Sequence, residues 1–114
     1  MSAILMPEPL VQVIDRLEAG DELESKLRRL VENEIRRRLA RYEWIDRVFQ
    51  KKYGMTFEEF ERNEMVKKLG YSFEVENDYH EWDMAIDGIE TLRRDLEELQ
   101  EYGHQQILER EGIL

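Results

Sequence analysis

The sequence contains no cysteine among its 114 residues, only two prolines, and no apolar run long enough to cross a membrane. The lack of cysteine excludes disulfides, thiolate nucleophiles and cysteine-based zinc sites, which is typical of intracellular proteins. A signal peptide is not predicted, because the apolar start of the chain has no basic residues before it and is interrupted by Pro7 and Pro9. We therefore expect a cytoplasmic protein.

Groups that carry out catalysis are equally scarce. The chain has three serines and two histidines, without a glycine-rich phosphate loop or a Gly-x-Ser-x-Gly motif. His80, Asp83 and Asp87 would share one side of a helix, but acids are so frequent in this half of the chain that a solvated acidic face is the simpler interpretation. We predict no catalytic residue, no metal site and no cofactor, and hence no enzyme.

Charge is abundant and unevenly distributed. The net charge is -10, yet residues 26–52 hold ten bases and four acids, while residues 53–114 hold six bases and seventeen acids. Such asymmetry steers association with a partner of either sign. The high content of Glu and Arg would also suit a thermophilic source.

Apolar residues recur at helical spacing in two long stretches, which predicts an all-α or nearly all-α fold. Helix 21–53, with Asp21 as its cap, would carry a stripe made by Leu27, Val31, Ile35, Leu39, Tyr42, Ile45, Phe49 and Tyr53. Helix 78–102, ended by Gly103, would carry a stripe made by Trp82, Ile86, Ile89, Leu92, Leu96 and Leu99.

Shorter elements fill the rest of the chain. Residues 1–20 predict a short strand at 3–6 and a short helix that ends near Gly20. Thr56 and Glu59 form a capping box that begins a short helix over 56–69. The alternation in 70–77 predicts a loop or a strand, and 103–114 is a tail.

These elements predict one domain over 1–114, of the elongated helical-hairpin or coiled-coil type. A helix of residues 21–53 would be about 50 Å long, which is longer than a compact domain of this size is wide. We therefore expect a homodimer, or an obligate complex with another chain, to cover the apolar stripes.

The predicted helix 21–53 gathers basic residues on one face, together with Trp44. Five of its bases follow an acid by four residues, in pairs that stabilise an exposed helix: Glu22–Lys26, Glu24–Arg28, Glu32–Arg36, Glu34–Arg38 and Glu43–Arg47. The remaining bases form a basic strip that would contact a second copy or nucleic acid, made chiefly by Arg29, Arg37, Arg41 and Lys51.

Aromatic residues with acids between them mark the other candidate surface. Phe57, Phe60 and Trp82 are expected to form a small core. The segment that follows is predicted to bind a basic protein partner, because it combines contact area with negative charge: Tyr71, Phe73, Glu74, Val75, Glu76 and Tyr79.

Three segments of the chain resemble a family of small archaeal and bacterial proteins. They are Arg-Tyr-Glu-Trp at 41–44, Lys-Lys-Tyr-Gly-Met-Thr-Phe-Glu-Glu-Phe-Glu at 51–61, and Phe-Glu-Val-Glu-Asn-Asp-Tyr-His-Glu-Trp at 73–82. The family is regarded as the antitoxin partners of two-gene toxin–antitoxin modules. The resemblance implies a non-enzymatic protein that neutralises a small toxin, often an RNA-cutting enzyme. The charge of the acidic second half agrees with this, because it would cover the basic, RNA-binding surface of a ribonuclease.

Two alternatives remain open at this point. The chain could be a structural coiled-coil protein that has no toxin partner. The order strand, helix, helix in the first forty residues also resembles ribbon-helix-helix DNA-binding regulators. Such a ribbon needs polar or basic residues that face the bases, and residues 2–6 offer almost none.

Overall fold

A computed structural model describes residues 6–20 and 22–112, and their regular secondary structure is helical throughout. The five helices are α1 (Glu8–Leu17), α2 (Leu23–Tyr53), α3 (Phe57–Arg62), α4 (Met65–Lys68) and α5 (Phe73–Arg110). The predicted all-α fold with two long helices is thereby confirmed. The predicted strand over 3–6, except for Met6, and the predicted Asp21 cap lie outside the described residues.

The chain forms two compact units, and both long helices contribute to each. The first unit combines Met1–Ile35 with Leu96–Leu114, and the second is Arg36–Asp95. The prediction of one domain over 1–114 stays a prediction.

In the first unit, polar contacts connect α1 and the turn after it to α2. Ile14 is the buried residue of α1. Lys26 Nζ lies 2.5 Å from Asp15 Oδ1, and Arg29 Nε donates to Glu18 Oε2 at 3.1 Å. Two ion pairs therefore connect α1 and the residue after it to the start of α2.

Helix α5 continues through Gly103 to Arg110, so the predicted helix end at 102 is wrong, and the predicted tail is wrong over residues 103–110. Gly103 is buried, and a Cβ atom at this position would lie 2.5 Å from Arg28 Nη1. The glycine thus leaves room for the Arg28 guanidinium instead of ending the helix. Beyond it, Arg110 Nη2 donates to Glu22 Oε2 at 2.9 Å, which holds the last turn of α5 against α2.

The second unit is built around an aromatic core. Trp82 is completely buried, with a relative exposure of 0%. Its ring lies 5.6 Å from that of Phe49, and 5.3 Å from those of both Phe57 and Phe60, between centroids. The prediction that Phe57, Phe60 and Trp82 form a core is therefore confirmed, and Val75 completes it.

Within this unit α2 and α5 run antiparallel. Tyr53 contacts Asp78, Phe49 contacts Trp82 and, further along, Glu43 pairs with Arg93. The buried residues of α5 recur at steps of seven and three or four, as in a coiled-coil seam, and are Val75, Trp82, Ala85 and Ile89.

The predicted single helix over 56–69 is wrong in one respect, because it divides into α3 and α4. Its start is as predicted: the Glu59 amide donates to Thr56 Oγ1 at 3.2 Å, and the Thr56 amide donates to Glu59 Oε1 at 3.1 Å. The bond from the Thr56 amide to the Glu59 carboxylate, together with one of 3.0 Å from the Thr56 hydroxyl, lowers the pKa of Glu59. Glu64 then adopts a left-handed conformation with φ of 50°, which turns the chain so that Met65 and Val66 pack against the core.

The predicted loop or strand over 70–77 is also wrong from Phe73 onward, where α5 begins five residues before the predicted start at 78. Ser72 Oγ accepts a hydrogen bond of 3.2 Å from the Val75 amide, which caps the new helix. Val75 and Trp82 are seven residues apart and thus lie on the same side of α5, in the core. Burial of this helical face outweighs the short alternating pattern of the segment.

Candidate protein-binding site

The turn between α4 and α5 presents three apolar side chains to solvent. Gly70 and Tyr71 both have positive φ, of 80° and 55°, and the Tyr71 amide donates to the Val66 carbonyl at 2.9 Å. Phe73 is 80% exposed and Tyr71 59% exposed, and Leu69 is exposed beside them. A left-handed conformation is unusual for an aromatic residue, and Tyr71 adopts it with its side chain exposed.

Two carboxylates follow these side chains in the sequence. Glu74 and Glu76 are exposed in the first turn of α5. Glu74 Oε1 accepts a hydrogen bond of 2.8 Å from Lys52 Nζ, which also lies 2.5 Å from Asp78 Oδ2. We call the set Leu69, Tyr71, Phe73, Glu74 and Glu76 the turn surface.

Two of the residues predicted to bind a partner have other roles. Val75 is buried in the core, so it is not available to a partner. Tyr79 is half-buried and stacks on Phe57, with 5.7 Å between ring centroids. Its hydroxyl donates to Glu61 Oε2 at 2.7 Å, and this bond together with burial raises the pKa of Tyr79 to about 12.

A cleft of about 260 Å³ opens beside Tyr79. Its walls are mainly apolar and aromatic, and its charged residues are two acids and one base. The lining residues are Phe60, Glu61, Glu64, Met65, Val66, Lys67, Tyr71 and Tyr79. Because Tyr71 belongs both to this cleft and to the turn surface, the two form one continuous candidate site.

The residues of the predicted basic strip all lie on α2 and fall in both compact units. Arg29 belongs to the first unit, where Glu18 and the Ala19 carbonyl accept its hydrogen bonds. Arg37, Arg41 and Lys51 belong to the second unit, where they are exposed on α2. That these residues contact a second copy or nucleic acid stays a prediction.

Several of the predicted pairs on α2 also have other partners. Lys26 bonds to Asp15, Arg28 pairs with Glu32 at 3.2 Å, and Glu43 pairs with Arg93 at 3.2 Å. These contacts connect α2 to neighbouring segments as well as along its own surface. Trp44, which is 59% exposed, and Val48 are exposed apolar side chains that lie one turn apart on α2.

Sequence reasoning missed Leu69, Glu61 and Glu64 as parts of the candidate site. Leu69 had a signal, because an apolar residue directly before Gly70 extends the aromatic segment that was identified. Glu61 and Glu64 had none: Glu61 reaches the site through a contact between α3 and α5, and Glu64 through its own left-handed conformation.

Within 6–20 and 22–112, no group of three His, Asp or Glu side chains is arranged to hold a metal ion. Each helix of this described part is too short or too polar to span a membrane. Comparison of the chain with protein-family models, with curated proteins and with solved structures finds no match.

Proposed function

We propose that this protein is a non-enzymatic binding module of the antitoxin type, which neutralises a small basic protein through its acidic second half. The observation that carries the proposal is the turn surface, where Tyr71 and Phe73 are exposed within three residues of each other and two carboxylates follow them. Aromatic anchors are enriched where proteins bind one another.

The charge of the surface indicates the class of partner. Residues 53–114 hold seventeen acids and six bases, so a basic partner is attracted over a distance and oriented on approach. A ribonuclease that binds RNA through a basic surface has the matching charge. Covering that surface would block its substrate, which is how an antitoxin of this kind would act.

Co-expression tests the proposal. The chain, carrying an affinity tag, is produced together with the product of the adjacent gene, and the complex is isolated at moderate salt. We expect a stable complex that contains both proteins, and relief of growth inhibition if the neighbour is toxic. The absence of a small basic neighbour, or its failure to copurify, would contradict the proposal.

Variants at exposed positions assign the binding surface. Tyr71→Asn together with Phe73→Ser removes both rings, and Asn is compatible with the left-handed backbone at 71. Trp44→Ser is the matched control, because Trp44 has the same exposure as Tyr71 but lies on α2. We expect the double variant to lose the partner and the control to retain it.

A second candidate function is self-association through α2, as expected for a structural helical protein. The observation that favours it is the exposed pair Trp44 and Val48. The bases Arg41, Arg47 and Lys51 flank this pair, so two copies of the same face would repel each other. Light scattering distinguishes the candidates, since this function requires a dimer that Trp44→Ser weakens.

A further inference from the structure

The cleft beside Tyr79 is lined by both aromatic rings and carboxylates. Tyr71 and Tyr79 supply aromatic walls, and Glu61 and Glu64 supply carboxylates at its edge. At about 260 Å³ it is smaller than most small-molecule pockets, which measure about 300–1,000 Å³. Its size therefore suits one long side chain of a bound protein.

Glu61 is positioned to receive a cation. Its Oε2 atom accepts the hydroxyl of Tyr79 at 2.7 Å, which fixes the carboxylate at the edge of the cleft. Glu61 is exposed, so its carboxylate is also accessible to a ligand. An incoming planar donor could therefore bond to Glu61 while its face rests against a tyrosine ring.

We propose that this cleft binds the guanidinium of an arginine side chain presented by the partner. Arginine fits better than lysine, because its planar group both stacks on aromatic rings and donates to carboxylates through several N–H groups. The hydrogen bond to Glu61, and after it burial and the negative charge of Glu61, raise the pKa of Tyr79. The inference rests on the proposed function, because the partner in that function supplies the arginine.

Lys67 also lines the cleft and opposes a bound cation. Substitution of Lys67 should therefore change the affinity for a cation in the opposite direction to substitution of Glu61. Glu61→Gln removes an attractive charge, and Lys67→Gln removes a repulsive one. Since both residues are exposed, neither substitution disturbs the core. A change that merely loosened the unit would not produce opposite effects on affinity.

Nuclear magnetic resonance with a defined probe tests the proposal on the whole chain. N-acetyl-arginine amide is titrated into the labelled protein, and N-acetyl-citrulline amide, which has the same shape without the charge, is the control ligand. We expect saturable shifts of the amides of Glu61, Glu64, Tyr71 and Tyr79 with arginine only. Glu61→Gln should weaken binding about tenfold, Lys67→Gln should tighten it, and Glu81→Gln on α5 should leave it unchanged.

The inference and the proposed function fail in different ways. Absence of saturable shifts, equal shifts with the citrulline compound, or equal effects of Glu61→Gln and Glu81→Gln would overturn the arginine site. If the adjacent gene's product still copurified, the proposed function would stand without it. Arginine binding without a copurifying partner would instead contradict the proposed function and support the cleft as a guanidinium site.

Discussion

The indole Nε1 of Trp82 donates a hydrogen bond of 2.9 Å to Asp46 Oδ1, which joins the centre of the aromatic core to α2. Asp46 Oδ2 also accepts from Gln50 Nε2 at 3.0 Å. Because Trp82 is completely buried, its N–H group has no access to water in the folded protein. The bond therefore satisfies a group that would otherwise be costly to bury.

Removal of the Asp46 acceptor should destabilise the protein. We predict that Asp46→Leu lowers the free energy of unfolding by about 1–3 kcal/mol, because the indole N–H is left unpaired. Asp46→Asn retains an acceptor and should cost less. Urea unfolding of both variants measures the difference, and Asp87→Asn, at an exposed position of α5, is the control. Equal stability of Asp46→Leu and the wild type would show that the bond contributes nothing.

Two glycines in the interior of α5 should respond differently to alanine. A Cβ at Gly88 would lie 2.6 Å from the ring of Tyr42, whereas at Gly103 it would meet the flexible end of Arg28. We predict that Gly88→Ala destabilises by about 1–3 kcal/mol, since an aromatic ring has little freedom to move away. Gly103→Ala should be close to neutral, because Arg28 can shift and alanine favours the helix by about 0.5–1 kcal/mol.

Thermal unfolding of the two alanine variants, side by side, measures this contrast. A stabilising Gly88→Ala would mean that Tyr42 does not pack over the glycine. A strongly destabilising Gly103→Ala would mean that the Arg28 guanidinium is fixed in place and contributes to stability through its position.

Two tyrosines should make the fold sensitive to alkaline pH. A hydrogen bond to Glu61 and burial raise the pKa of Tyr79 to about 12, and burial with a bond to Asp78 raises the pKa of Tyr53 to about 12, each from 10.0. The folded state thus holds these protons more tightly than the unfolded chain. Their contribution to stability is complete below pH 10 and is lost as the pH rises toward 12.

Chemical unfolding as a function of pH checks this expectation. The wild type should lose stability between pH 10 and 12, in step with the appearance of tyrosinate absorbance. The variant Tyr79→Phe should lose less over the same range, because phenylalanine has no proton to release. An identical pH dependence in both proteins would contradict the assigned contact with Glu61.

The parts of the fold that the sequence predicts well are governed by local signals. Helix α2 ends at Tyr53 as expected, because Gly54 follows with φ of 66° and an apolar stripe defines its length. The capping box of Thr56 and Glu59 is likewise a property of four consecutive residues. Such features depend little on the rest of the chain.

The errors arise where tertiary packing decides between local alternatives. Tyr71, Phe73 and Val75 alternate in sequence, and only contact with α2 and α3 determines that Val75 is buried while the other two are exposed. In the sequence Gly103 has the pattern of a helix end, whereas in the structure it makes room for the Arg28 side chain. The cleft depends on a left-handed glutamate at 64, a conformation for which glutamate has no preference.

The central claim is that the turn surface binds a basic protein, and one calorimetric comparison tests it most directly. The product of the adjacent gene is titrated into the wild type, the Tyr71→Asn/Phe73→Ser variant and the Trp44→Ser control under identical salt. We predict that the double variant binds at least about a hundredfold more weakly, as expected for the loss of a hot spot, while the control matches the wild type. Equal affinity of the double variant and the wild type would contradict the account.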